Sequence, residues 1–117
     1  MGDLMASLIR YAPLQVREVE YVDPTVTLAG NDWSLSITCP WRLRRESEVV
    51  VSWDDDSVED MIWDLAGHSL LDISFELVGE RRNALLQLTG GLTLEILPDS
   101  DLDPWVMRLP EETFVGP

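Results

Sequence analysis

Apolar and polar residues alternate through Trp33-Ser34-Leu35-Ser36-Ile37-Thr38-Cys39, so one side of an extended chain is apolar and the other carries hydroxyls. The same two-residue period sets Leu71, Ile73, Phe75 and Leu77 against Asp72, Ser74 and Glu76. It also sets Leu92, Leu94 and Ile96 against Thr93 and Glu95. Runs of this kind predict antiparallel strands with one buried and one wet face. Further strands are expected over Leu14–Val22, Thr25–Ala29, Glu48–Trp53, Ala84–Leu88 and Trp105–Leu109. Turns are expected at Asp23-Pro24, Gly30-Asn31-Asp32 and Gly90-Gly91. In Leu14–Val22 the alternation slips near Arg17-Glu18, which suggests a bulge.

One segment follows a different period. In DDDSVEDMIWDLAGH the apolar residues Val58, Met61, Ile62 and Leu65 fall at i, i+3, i+4 and i+7, which predicts a helix over about 56–66. Asp56 or Ser57 can cap its start, Glu59 stands three residues after Asp56, and Gly67 can end it. Leu4, Leu8 and Tyr11 are helically spaced in the N-terminal segment, so residues 1–13 read as a short second helix, with a strand or an extension as alternatives.

The chain also resembles itself. Aligning Leu28 with Leu88 and Gly30 with Gly90 brings Trp33, Leu35 and Ile37 onto Leu92, Leu94 and Ile96 with a one-residue difference in the turn. Both copies run on into Pro-Trp and end Arg-Leu, as PWRL from Pro40 and as PWVMRL from Pro104. The expected fold is therefore α+β, mostly antiparallel sheet, built from two related β-meander halves with a helix between them, in one domain over 1–117. Proline has no amide donor, so Pro40 and Pro104 should end one ladder and redirect the chain. Trp41 and Trp105 should close the ends of the core, and Arg42 and Arg108 should reach outward or pair with carboxylates.

Composition sharpens the functional picture. The chain has 117 residues, 45% of them hydrophobic, with 22 Asp and Glu against eight Arg, no Lys, and a formal net charge of −14. Such a surface repels nucleic acid and attracts basic partners, and it also serves solubility. Cys39 is the single cysteine, so no internal disulfide forms, which suits a cytoplasmic protein. No apolar run approaches the roughly 20 residues of a spanning helix, and the first residues lack a signal-peptide pattern.

The catalytic inventory is thin. His68 is the one histidine and follows Gly67, at the expected C-terminal end of the helix, where its role reads as structural. Cys39 alternates with core residues and reads as a buried thiol. Asp99, Asp101 and Asp103 imitate the first ligands of a calcium loop. Pro104 and Pro110 occupy the positions where that loop needs glycine and glutamate, so a solvated acidic turn is the simpler reading. No cofactor is expected and the protein is read as no enzyme. What remains is surface: Trp63 lies off the apolar helix face among acids, and Asp54, Asp55, Asp56, Glu59, Asp60, Trp63 and Asp64 form the candidate partner-binding set.

The combination WSLSITCPWRL, then LDPWVMRLP and TFVG, resembles small bacterial proteins, some of them grouped with immunity proteins of toxin systems. The resemblance implies a small α+β protein that acts by binding, and it carries over no active-site residues. The expected function is neutralisation of a basic toxin, a nuclease being the obvious class, by direct binding. The alternatives are a phage-type inhibitor that mimics nucleic acid toward a DNA-binding protein, and a domain that binds a small ligand or a metal.

Overall fold

The alternating runs become strands of two antiparallel sheets in a computed structural model, which describes residues 4–22, 25–56, 58–98 and 104–116. The chain begins with α1 (Leu4–Tyr11), β1 (Leu14–Gln15), β2 (Glu18–Val22), β3 (Thr25–Gly30) and β4 (Trp33–Ile37). It continues with β5 (Trp41–Arg45), β6 (Glu48–Ser52) and the short helix α2 (Val58–Ile62). Then come β7 (Ser69–Val78), β8 (Arg81–Leu88), β9 (Leu92–Ile96), β10 (Trp105–Arg108) and β11 (Thr113–Val115). One sheet has the order β1-β7-β8-β9-β5-β6 and the other β11-β10-β4-β3-β2. The chain is thus mostly antiparallel β with a small helical part. Among the described residues no helix is long and apolar enough to cross a membrane.

The core is the sum of the inward faces. Leu28, Leu35, Ile37 and Met107 from the smaller sheet join Ile73, Leu86, Leu94 and Ile96 from the larger one in a single cluster. Leu8 of α1 and Ile62 of α2 complete it. A fully buried side chain of this size contributes about 1.5–3 kcal/mol, so this cluster is the principal stabilising term.

The two halves exchange strands. β4 leaves the smaller sheet after Ile37, the chain turns at Pro40, and β5 joins the larger sheet beside β9. β9 leaves the larger sheet after Ile96, and beyond Pro104 β10 joins the smaller sheet beside β4. Each crossing is tied to the other: the Thr38 N–H donates to the Pro104 carbonyl at 2.9 Å and the Leu97 N–H to the Pro40 carbonyl at 2.8 Å. Each proline, having no amide to donate, takes part in the ladder through its carbonyl alone. The Trp53 N–H donates to the Trp41 carbonyl just as the Gly116 N–H does to that of Trp105. Trp41 and Trp105 are 1% and 2% exposed, as their place after the bend predicts. Among the described residues their indole N–H groups find no acceptor, so the rings are held by apolar packing, with Phe75 stacked on Trp105 at 6.4 Å between centroids.

Several boundaries differ from the sequence reading. The strand expected over Leu14–Val22 divides between the sheets, and the slip near Arg17 marks the transfer. There the Val16 N–H donates to the His68 carbonyl of one strand system and the Arg17 N–H to the Ala29 carbonyl of the other. The helix expected over 56–66 is shorter: α2 is followed by a 3₁₀ turn, Trp63–Leu65. Gly67, at a φ of 96°, ends it, and its N–H is captured by the Val16 carbonyl. Ser57 lies outside the described residues, as do Asp23-Pro24 and Asp99, Asp101 and Asp103. The N-terminal segment does form a helix, with Leu4 and Leu8 buried. A bulge between Leu70 and Asp72 turns Leu70 inward and leaves Leu71 exposed.

The internal alignment also shifts. Leu28 pairs with Leu35 in one half and Leu86 with Leu94 in the other, so Leu28 corresponds to Leu86 and Gly30 to Leu88. The two glycines that suggested the other register have different tasks. Gly30 lies within a strand and gives room to the Trp33 indole, which donates to the Gln15 carbonyl at 3.1 Å. Gly90 belongs to a longer turn and adopts a φ of 79°. By the same registers Arg108 corresponds to Arg44, not Arg42.

Candidate partner-binding surface

The acidic segment is set out by the elements on either side of it. β6 ends at Ser52, and the chain turns as the Asp55 N–H donates to the Ser52 carbonyl and the Val58 N–H to that of Asp55. Three consecutive aspartates cannot be desolvated together, and Asp54, Asp55 and Asp56 are all exposed. In α2 the apolar face carries Val58 and Ile62 into the core. The opposite face then presents Glu59 and Asp60, and the 3₁₀ turn presents Trp63 and Asp64 while Leu65 is buried. All seven residues of the sequence-derived set are thereby exposed on one continuous segment, with Trp63 at 44%.

Trp53 was not in that set and is also 44% exposed. Alternation with the buried Val51 would place it inward. The turn into Asp54–Asp56 lifts it out of phase, and the aspartate run directly after it was the available signal. Two half-exposed indoles therefore bracket the acidic turn and helix, each with an apolar body and a polar N–H that suit a protein interface.

Along the sequence the charge is one-sided, while in the sheet β5 sets Arg42, Arg44 and Arg45 beside β6. Between Arg45 and Arg81 the chain carries no Arg or Lys, while Glu46, Glu48, Asp54, Asp55, Asp56, Glu59, Asp60, Asp64, Asp72, Glu76 and Glu80 all fall in that interval. Arg42, which pairs across the ladder with Ser52, is drawn to the outer face of the larger sheet instead. Its Nε lies 2.6 Å from Glu95 Oε1, and Arg44 Nη1 lies 3.3 Å from the same oxygen. Burial pushes the Glu95 carboxyl upward, and the hydrogen bonds and charges of Arg42 and Arg44 outweigh it, leaving the group below its ordinary range. The Arg42 guanidinium is correspondingly raised, chiefly by its hydrogen bond to Glu95.

His68 and Cys39 both lie against backbone carbonyls. His68 Nδ1 lies 2.9 Å from the Thr89 carbonyl and 3.1 Å from the Thr89 hydroxyl, which also accepts from the Ser69 N–H. Cys39 Sγ lies 3.4 Å from the Pro40 carbonyl and packs partly against the core. Among the described residues no group of three His, Cys, Asp or Glu is placed to hold a metal ion. The molecule is thus defined as a two-sheet antiparallel β protein with strand-exchanged halves and an acidic, tryptophan-bearing segment. No protein-family model matches the chain, and no curated protein or solved structure matches it either.

Proposed function

We propose that this chain is a non-enzymatic binding protein of the bacterial cytoplasm. In this reading it acts as an immunity protein, and the acidic segment Asp54–Asp64 covers the basic surface of a cognate toxin. The observation that carries the reading is the pairing of half-exposed Trp53 and Trp63 with six carboxylates that have no basic side chain among them in sequence. Carboxylates steer a basic partner and orient it, and the indoles supply the apolar area that becomes buried. A nuclease toxin fits the same chemistry, because its substrate-binding surface must be cationic to hold phosphate.

The test uses immobilised wild-type protein beside a variant carrying Asp54→Asn, Asp55→Asn, Asp56→Asn, Glu59→Gln, Asp60→Asn and Asp64→Asn. The expected result is retention of one basic protein by the wild type alone, its release as salt rises from about 0.05 to 0.5 M, and loss of its toxic activity on adding the wild type. Equal retention by both proteins, with no salt dependence, contradicts the reading.

A further inference from the structure

Among the described residues β6 (Glu48–Ser52) is the terminal strand of the larger sheet, so one side of its backbone has no described strand beside it. The other sheet ends are shorter or screened. β1 has two residues and β11 three, while α2 packs against both β2 and β6 and the 3₁₀ turn packs against β2. Natural edge strands are guarded by lysines, prolines or bulges. β6 has neither lysine nor proline, presents Val49 at 51% exposure, and carries one bulge opposite Leu43 and Arg44. The bulge works against long flat pairing and still leaves room for a short added segment.

The charges around this edge select its occupant. Glu46 and Glu48 stand at its start, and Trp53 followed by Asp54, Asp55 and Asp56 stands at its end. A second copy would bring a further net charge of −14 to the same edge, which disfavours self-pairing. A basic extended segment meets opposite charge at the Asp54–Asp56 end, whereas Arg45 stands across the ladder from Glu48 at the other, and it can lay a cationic side chain on the Trp53 ring.

We propose that β6 accepts an extended, Arg- or Lys-bearing segment of the partner protein as an additional strand, with main-chain hydrogen bonds to the free side of Glu48–Val51, short of the Ser52 carbonyl that the Asp55 N–H already holds, and ion pairs to the flanking carboxylates. This rests on the acidic docking function above and specifies how the partner is held.

The probe is an end-blocked seven-residue peptide of alternating Arg and Val, compared with two versions N-methylated on either the odd or the even residues. Methylation removes the donors of one strand edge and leaves the charge unchanged. Strand addition predicts that one methylated version binds about tenfold or more weakly and the other binds like the parent. It also predicts slowed amide exchange within Glu48–Val51 in the parent complex. If both methylated versions bind like the parent, strand addition is overturned and acidic docking stands. If the parent peptide fails to bind even at low salt, both are overturned.

Discussion

Glu95 is a buried carboxylate on a sheet face that otherwise meets water. Its position between Arg42 and Arg44 follows from register alone, because β9 and β5 pair Glu95 with Arg42 and Thr93 with Arg44. Loss of one member of a charge-assisted pair leaves the rest incompletely satisfied, and Arg42 remains partly hydrated, which softens the penalty. Glu95→Gln should lower stability by about 1–2 kcal/mol at pH 7 in urea titrations. The sign with pH follows from the depressed carboxyl. The stabilisation is fully present above the unfolded-state pKa, near 4.5, and disappears as pH falls through the lower folded-state value. The gap between wild type and variant should therefore close in acid. A gap that widens in acid contradicts the assignment. The alternation of Leu94, Glu95 and Ile96 made the outward direction of this residue legible, but the two arginines come from a strand some fifty residues away in sequence. No local pattern announces that pairing.

At the scale of elements, α2 and its 3₁₀ extension separate two tasks onto two faces. Ile62 is fully buried and Trp63, the next residue, is half-exposed. Ile62→Ala should cost about 2–4 kcal/mol, the range for a large side chain removed from a packed core. Trp63→Ala should change stability by less than about 0.5 kcal/mol while weakening partner binding. Thermal denaturation of the two variants checks the contrast, and a large loss for Trp63→Ala would mean the indole is part of the core. The helical spacing showed the apolar face correctly. The length of the helix was less legible, because Gly67 and His68 are drawn onto Val16 by hydrogen bonds between distant segments. The same cause divides β1 from β2, since the alternation records that a face is buried but not which sheet buries it. The bulge that exposes Leu71 belongs to this class as well.

Across the whole molecule, the similar motifs beginning at Pro40 and Pro104 mark the points where the halves exchange strands. The repetition of Pro-Trp was legible because a bend with a buried indole has few sequence solutions. The exchange itself was not legible, since β5 pairing with β9 and β10 pairing with β4 are contacts of high sequence separation. Matching Gly30 to Gly90 misplaced one strand by two residues, since identical residues there meet different needs.

Net charge acts at this scale too. Self-repulsion at −14 opposes the compact state and salt screens it. The midpoint of thermal unfolding should rise between about 0.02 and 0.3 M NaCl, over the same range in which partner binding weakens. A midpoint that falls with salt would mean that attractive pairs, not repulsion, dominate the surface. Trp53 and Trp63 should stand in a strongly negative local field. Collisional quenching of tryptophan fluorescence tests this directly in the free protein. With each ion's efficiency taken relative to its quenching of free N-acetyltryptophanamide, caesium should quench the exposed fraction more efficiently than iodide at low ionic strength, the difference should vanish at high salt, and the quenchable fraction should be absent from Trp53→Phe/Trp63→Phe. Equal quenching by the two ions at low salt, or a quenchable fraction that survives the double substitution, would contradict the claim.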